Sequence, residues 1–275
     1  MRIQQVDGLP VRLREPHDLT FLARWGTVFR VFDDQDSGNL CFGVAGAGGR
    51  LFVKYAGAPT ARYDGAIADA VARCRAAGDV YRALRHPALI RLRETADLPH
   101  GHALVFDWTD AVPLGRQFAQ RELLADLAPR ERAAAVLQIY RFAAHAAARG
   151  WVAVDLYDGS VMLDRATGSV VICDIDFFAP GPFENRMGRM WGSSRFMSPE
   201  EYTLGSRIDE VTNVFALGAL AHTLLGDDDA KSREAWTGTD AQYEIAARAL
   251  RPDRGDRWPS VAELADTWER EMRGI

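Results

Sequence analysis

The stretch WVAVDLYDGSVMLDRATGSVVICDID, residues 151–176, holds two short apolar runs, Val161-Met162-Leu163 and Val170-Val171-Ile172-Cys173. Between them lies Asp164-Arg165-Ala166-Thr167-Gly168. Apolar runs on either side of a glycine-containing turn read as a β-hairpin. With the turn centred near Ala166, counting back along both legs sets Asp174 opposite about Asp158, beside the loop that opens at Asp155. Asp155 and Asp174 are therefore expected near one another at the open end of the hairpin. Close carboxylates repel unless a cation or a proton is shared. A divalent cation held by Asp174, with Asp155 left to orient or deprotonate a hydroxyl, is one use of such a pair. Turn capping in solvent is the other.

Outward from this hairpin the two halves of the chain differ. Upstream, Arg30-Val31-Phe32 and Leu40 to Val44 flank the turn Asp33-Asp34-Gln35-Asp36-Ser37-Gly38, and Ala45 to Gly49 turns into Leu51-Phe52-Val53-Lys54-Tyr55, giving a three-strand antiparallel meander. The alanine-rich stretch from Asp64 to Leu84 favours helix and ends ahead of His86-Pro87. Ala103 to Phe106 reads as a buried strand, followed by a polar segment from Asp107 to Pro113. After it the chain turns helical, with one helix from Pro129 to a C-terminal Gly150 and another from about Glu210 to Leu225. The second is apolar nearly all round and is expected to be central and buried. The fold class is α+β, a β-rich part followed by a helical part.

The cations carry a signal of their own. Lysine and arginine together number 33, yet only Lys54 and Lys231 are lysines. An arginine-biased chain that keeps a lysine points to a need for a compact point charge on a flexible stem. Lys231 lies in a polar stretch and is expected to be solvated. Lys54 sits in an apolar run, either paired and functional or on the solvent face of an alternating strand.

With 48% hydrophobic and 26% charged residues and a net charge of −5, the composition is globular and offers no broadly basic surface for nucleic acid. No stretch has the length of a membrane span, and the three scattered cysteines, Cys41, Cys74 and Cys173, fit neither a disulfide framework nor a zinc site. A cytoplasmic protein without membrane or nucleic-acid partners is expected. The tryptophans 25, 151, 191, 236, 258 and 268 are expected to pack in the core or between lobes, and Asp227-Asp228-Asp229 to form a solvated loop.

The segment Gly192-Ser193-Ser194-Arg195-Phe196-Met197-Ser198-Pro199-Glu200-Glu201 resembles the end of the activation segment in the protein kinase-like superfamily, particularly bacterial serine/threonine kinases of eukaryotic type. Ile208 to Gly218 is similar to that family's central helix, and Arg254 to Val261 to the segment whose arginine pairs with the Pro-Glu carboxylate, here Arg257 with Glu200. The resemblance spans about residues 28 to 270. It implies one bilobal domain over 1–275, with a small β-rich N-lobe to about 108 and a helical C-lobe over 109–275. It also implies ATP and Mg²⁺ (or Mn²⁺) as cofactors and a protein substrate. By the same carry-over, Lys54 would hold ATP phosphates, Phe106 would be the gatekeeper, and Asp107 to Thr109 would meet the adenine. Asp155 would be the catalytic aspartate and Asp174 the main metal ligand. Gly38 and Ser160 would stand at the phosphate-loop and second-metal positions, and Ser193 at a position that favours Ser/Thr substrates.

The sequence also departs from that pattern. Three aspartates crowd the expected glycine-rich loop, and Ala77 stands where the lysine's glutamate partner is expected, with Asp79 on another helix face. Ala153-Val154 replace His-Arg, Tyr157 replaces a lysine, Ser160 an asparagine and Asn213 an aspartate, while Asp174-Ile175-Asp176 ends in an acid rather than glycine. Asp158 offers a spare carboxylate. Three readings remain open on the sequence: a divergent Ser/Thr protein kinase, a pseudokinase that senses nucleotide or scaffolds a partner, and a small-molecule kinase.

Overall fold

A computed structural model of the chain describes residues 1–119, 122, 125–226 and 229–274, which divide into two units. The first comprises Met1–Arg85 and Ile90–Thr109; the second, His86–Leu89 and Asp110–Ile275. The class is α+β, with antiparallel sheets in both units.

The first unit opens with a hairpin that the sequence reading left unassigned, β1 (Arg2–Val6) against β2 (Leu9–Leu13). Its turn is Asp7-Gly8, with φ of 49° and 80°. Two successive positive φ values are what a two-residue hairpin loop needs, and Asp-Gly supplies them at little cost. The sheet behind it consists of β3 (Thr27–Phe32), β4 (Asn39–Gly46), β5 (Gly49–Ala56), β6 (Leu92–Leu98) and β7 (Gly101–Asp107), in the order β3-β4-β5-β7-β6. The expected meander is its first three strands.

Strand periodicity sorts the sheet into two buried faces. Leu40, Phe42 and Val44, with Val53, Tyr55, Ala103 and Val105, pack with Val11 and Leu13 of the hairpin and Leu22 of a short helical turn. Helix α1 (Ile67–Ala83) packs against β5, β6 and β7. Its buried residues Ala70, Cys74, Ala77, Val80 and Tyr81 follow the helical repeat. Gly78 permits close approach: a Cβ there would lie 3.1 Å from the Thr95 methyl and 3.3 Å from Leu104.

In the second unit, β8 (Val112–Pro113) precedes α2 (Pro129–Ala147) and β9 (Trp151–Val152). The expected hairpin then forms as β10 (Val161–Asp164) and β11 (Ser169–Ile172), with Val161 opposite Ile172, and β8 flanks it. Short pairs follow, β12 (Ala179–Pro180) on β9 and β13 (Phe183–Glu184) on β14 (Arg207–Ile208). Helices α3 (Glu210–Leu225), α4 (Asp240–Ala249) and α5 (Val261–Arg273) complete the unit. Each begins at a side-chain cap, Asp209, Thr239 and Ser260, accepting from an orphan N–H of the first turn. Helix α3 is buried on most of its circumference, as its composition requires.

Around it, Tyr140 of α2 donates to Leu217 O and stacks edge-on with Trp268 of α5. The Trp268 indole donates to Ala133 O at 3.1 Å. Among the described residues no helix is long and apolar enough to cross a membrane.

Several expectations are corrected. Trp191 is 59% exposed rather than interior, because the strip that carries it runs along the surface of the second unit. Trp151 and Trp258 are half-buried, and so is Lys231. Cys41 and Cys74 are buried and Cys173 is half-buried, all three outside any disulfide. Of the Asp227-Asp228-Asp229 run, Asp227 and Asp228 lie outside the described residues; Asp229 is exposed and pairs with Arg116.

Trp268 is fully buried and bonded at its only polar atom. Trp268→Ala is expected to destabilise the chain by about 3–5 kcal/mol, read as a lower urea midpoint at unchanged slope. A change below about 1 kcal/mol would show that the three-helix contact is not a stability centre.

Candidate functional site

In the second unit the loop after β9 is fixed from below by Asn213 of α3. The Asn213 amide accepts from the Ala153 N–H at 2.8 Å and donates to the Ala153 carbonyl at 3.0 Å. An ionised aspartate could only accept. Asparagine in place of aspartate thus changes the kind of anchor without removing it.

Two residues later the backbone turns left-handed at Asp155, φ 58°, and it does so again at Asp174, φ 54°. Non-glycine residues seldom take this conformation, and aspartate is among those that tolerate it. The Cys173 N–H donates to Ser160 O at 2.8 Å, continuing the ladder that starts at Val161 and Ile172 and bringing the Asp174 leg beside Gly159. Asp155 is half-buried and Asp174 exposed. The Ser193 N–H donates to Asp155 Oδ1 at 3.3 Å, and the buried Ser160 hydroxyl reaches Asp155 O at 3.5 Å. Tyr157 sits among these acids. Burial first, then the charges of Asp174 and Asp155, push its phenol well above the usual range, so it is a neutral hydrogen-bonding group.

Asp158 is not a spare carboxylate. It is fully buried and holds Arg195 through both oxygens, at 3.0 and 2.8 Å, while the Arg116 N–H approaches at 3.3 Å. The Arg195 guanidinium also lies 4.8 Å from the Phe196 ring centroid. Sequence reasoning missed this tie between the loop and the segment after Gly192. Its only sequence signal is an acid where an apolar residue would pack.

The expected Glu200–Arg257 pair is present, at 2.7 and 2.9 Å, with the guanidinium side chain wholly buried. Burial alone would raise the Glu200 pKa, but the Arg257 hydrogen bonds and charge outweigh it and hold the carboxyl below its ordinary value. Neighbouring Glu201 behaves oppositely. Its Oε2 accepts from Ser198 N and Oγ at 2.7 and 2.9 Å, yet burial dominates and pushes its pKa up to about 7.

The first unit holds the remaining candidates. Lys54 is 8% exposed in β5, in register with Cys41 and Leu104. Phe106 is 2% exposed and packs on Phe52 and Tyr81 as a core residue. The N–H groups of Asp107 and Trp108 donate to Arg91 O and Arg50 O, and the Asp107 carboxylate pairs with Arg93. Thr109 is half-buried. Trp108 packs edge-on to Phe29 at 4.8 Å, and a Cβ at Gly43 would come within 2.9 Å of both rings.

Gly38 has φ 82°, but a Cβ there would meet Ala70 and Tyr63 at 2.8 Å, so its missing side chain makes room for the protein's own residues. The acidic turn is largely neutralised. Arg12 binds Asp33 through side chain and backbone and also reaches Asp34, which Arg62 pairs with as well. Ala77 is fully buried, and Asp79 faces outward, paired with Arg82.

Among the described residues no group of three or more His, Cys, Asp or Glu side chains is gathered to hold a metal by themselves. An exposed Asp174 and a neutral Ser160 oxygen suit a hard cation that brings phosphate and water ligands with it, as Mg²⁺ does with a nucleotide. No family model matches the chain, and no curated protein matches it either.

The Glu201 pKa gives a pH test. A carboxyl raised from 4.5 to about 7 on folding contributes stability that is complete below pH 4.5 and is lost as the pH rises towards 7. Glu201→Gln keeps an acceptor for Ser198 but never ionises. Relative to the parent chain it is expected to gain about 3 kcal/mol between about pH 4 and about pH 8, measured by urea melts. A constant difference across that range would contradict the protonated-acid reading.

Proposed function

We propose that the chain is an ATP- and Mg²⁺-dependent phosphotransferase of the protein kinase-like superfamily, with a bilobal kinase-like fold, acting in the cytoplasm on serine or threonine hydroxyls of a protein. One observation carries the reading: Asp155 and Asp174 both hold left-handed backbone, both charges act on Tyr157, and the loop at Asp155 is braced by Asn213, Ser160 and Ser193. Such conformations cost on the order of 1–3 kcal/mol each and persist where the surroundings over-determine them, typically at functional sites.

Bound ATP with Mg²⁺ would supply the transferable phosphoryl group and neutralise its charge. Asp174 and Ser160 would be the oxygen donors to the cation. By the resemblance Lys54, a buried lysine of the first unit, would act on phosphate oxygens as a point charge that arginine cannot imitate. Asp155 would accept the acceptor hydroxyl's hydrogen bond, orient its oxygen and take its proton as that oxygen bonds to the γ-phosphorus and the bond from that phosphorus to the bridging oxygen breaks, releasing ADP. The Ser193 N–H on Asp155 Oδ1 limits how that carboxylate can turn. Serine in place of asparagine at 160 shortens a metal-side oxygen donor and Ala77 removes a charged partner, which predicts slow turnover.

A second reading, a pseudokinase that binds a partner without catalysis, is favoured by the first unit alone. Phe29, Phe32, Phe52 and Trp108 stack on one another across β3 to β5, and the Asp107 and Trp108 amides are already bonded to backbone. A flat base would have to stack on this aromatic row.

Radiolabelled phosphate transfer from ATP to the chain itself and to generic protein acceptors separates the readings. Transfer is expected with Mg²⁺ or Mn²⁺, about 10²–10⁴-fold slower in Asp155→Asn and absent in Asp174→Asn. Complete lack of transfer by the parent chain with either metal would refute the catalytic reading.

A further inference from the structure

Nine large hydrophobic side chains stand exposed among the described residues, and four of them, Met187, Trp191, Tyr202 and Leu204, lie within eighteen consecutive positions. Scattered single exposures need no explanation, but a cluster does. These four belong to one hydrogen-bonded strip of the second unit. Its legs pair through Phe183 with Ile208 and Glu184 with Arg207. They continue through Asn185 N–H to Ser206 O, Gly205 N–H to Asn185 O and Met190 N–H to Glu201 O, each 2.8 Å. Leu204 thus lies beside the leg that turns at Met187, and Trp191 follows directly on the attachment to Glu201. Exposures run from 43% at Tyr202 to 69% at Leu204.

The charge on this strip runs against the chain. The protein carries a net charge of −5, but the strip's exposed charges are mostly arginine. Arg207 is matched by Asp209, and Glu184 lies across from it. Glu200 and Glu201 are buried. That leaves Arg186 and Arg189, both exposed and neither in an ion pair among the described residues. Arg189 is held in place by Met190 O and Gly192 O, 5.9 Å from the Tyr202 ring centroid. Exposed tryptophan, tyrosine and fixed arginine are the side chains that dominate binding energy at protein interfaces.

We infer that the strip formed by residues 183–191 and 200–208 is a docking surface for an acidic polypeptide segment that presents a large apolar side chain. The apolar group is received among Trp191, Tyr202 and Leu204, and its acids meet Arg186 and Arg189. The occupant is a polypeptide by charge complementarity and by shape. Two cations on an irregular two-legged strip are few for an anionic lipid surface, and a second copy docked symmetrically through the same strip would set its Arg186 and Arg189 against the same two arginines. The inference does not depend on the phosphotransferase reading, since docking requires neither nucleotide nor Asp155.

The test is selection of a random-peptide display library on the full chain, with affinities of the selected peptides then measured on the parent, Arg186→Glu and Trp191→Ser. Both residues are exposed, and unchanged melting temperatures confirm that the variants fold. Selected peptides are expected to be rich in Asp and Glu around a Leu, Phe or Trp. They should weaken about tenfold or more on either variant, and weaken further as salt is raised. Peptides without acidic excess, equal binding to all three proteins, or no enrichment would overturn the inference. So would two other results that both variants abolish: self-association of the parent chain in sedimentation, or its binding to phosphatidylserine vesicles.

Discussion

A guanidinium taken fully out of water must find an acceptor for its N–H groups, and Arg257 finds them in three separate parts of the second unit. Its partners are both oxygens of Glu200, the Val211 carbonyl at the start of α3, and the Arg251 and Pro252 carbonyls beyond α4. A buried ion pair is weak as a net source of stability but costly to break, because the survivor is left charged and dry. Its effect here is placement. The segment that reaches Glu200 begins at Gly192 and Ser193, and those residues set the amide on Asp155. A second buried pair, Asp158 with Arg195, ties the same segment to the loop from the other side. Between the two pairs the backbone around Asp155 has little freedom to relax.

That restraint explains how left-handed aspartates persist. The loop is tied at several points: Ala153 to Asn213, Ser160 to Cys173 and Asp155, Asp158 to Arg195. Strain in one dihedral is affordable when its neighbours are each fixed by independent bonds. The first unit follows a different logic. There Lys54 is buried on a sheet whose mostly half-buried aromatic row and paired aspartates are satisfied by the unit's own residues.

Much of the second unit was readable in the sequence because its signals are local. The turn at Asp164 to Gly168 sets the hairpin register by counting, and α3 announces its burial by being apolar on every face. The Glu200–Arg257 pair was legible only through resemblance, since 57 residues separate the partners. The Asp158–Arg195 pair had no such guide and was missed. The N-terminal hairpin was legible and overlooked: Asp7-Gly8 between alternating runs is a strong turn signal. Trp191 shows the limit of composition, because tryptophan is interior by habit and its place on the strip depends on pairings that no local pattern encodes. Gly38 shows the same limit, its close contact with Tyr63 and Ala70 being visible only once the chain has folded.

The central claim is that Asp155 and Asp174 are held for a metal-bound nucleotide. Thermal melting of the purified chain with and without ATP and Mg²⁺, beside Asp174→Asn, tests it most directly. Ligand at 100 times its Kd stabilises by about 2.7 kcal/mol, which at this size is a rise of several degrees. The account predicts that rise in the parent chain, dependent on Mg²⁺ and lost in Asp174→Asn. An unchanged melting temperature with either Mg²⁺ or Mn²⁺, or an equal rise in both proteins, would contradict it.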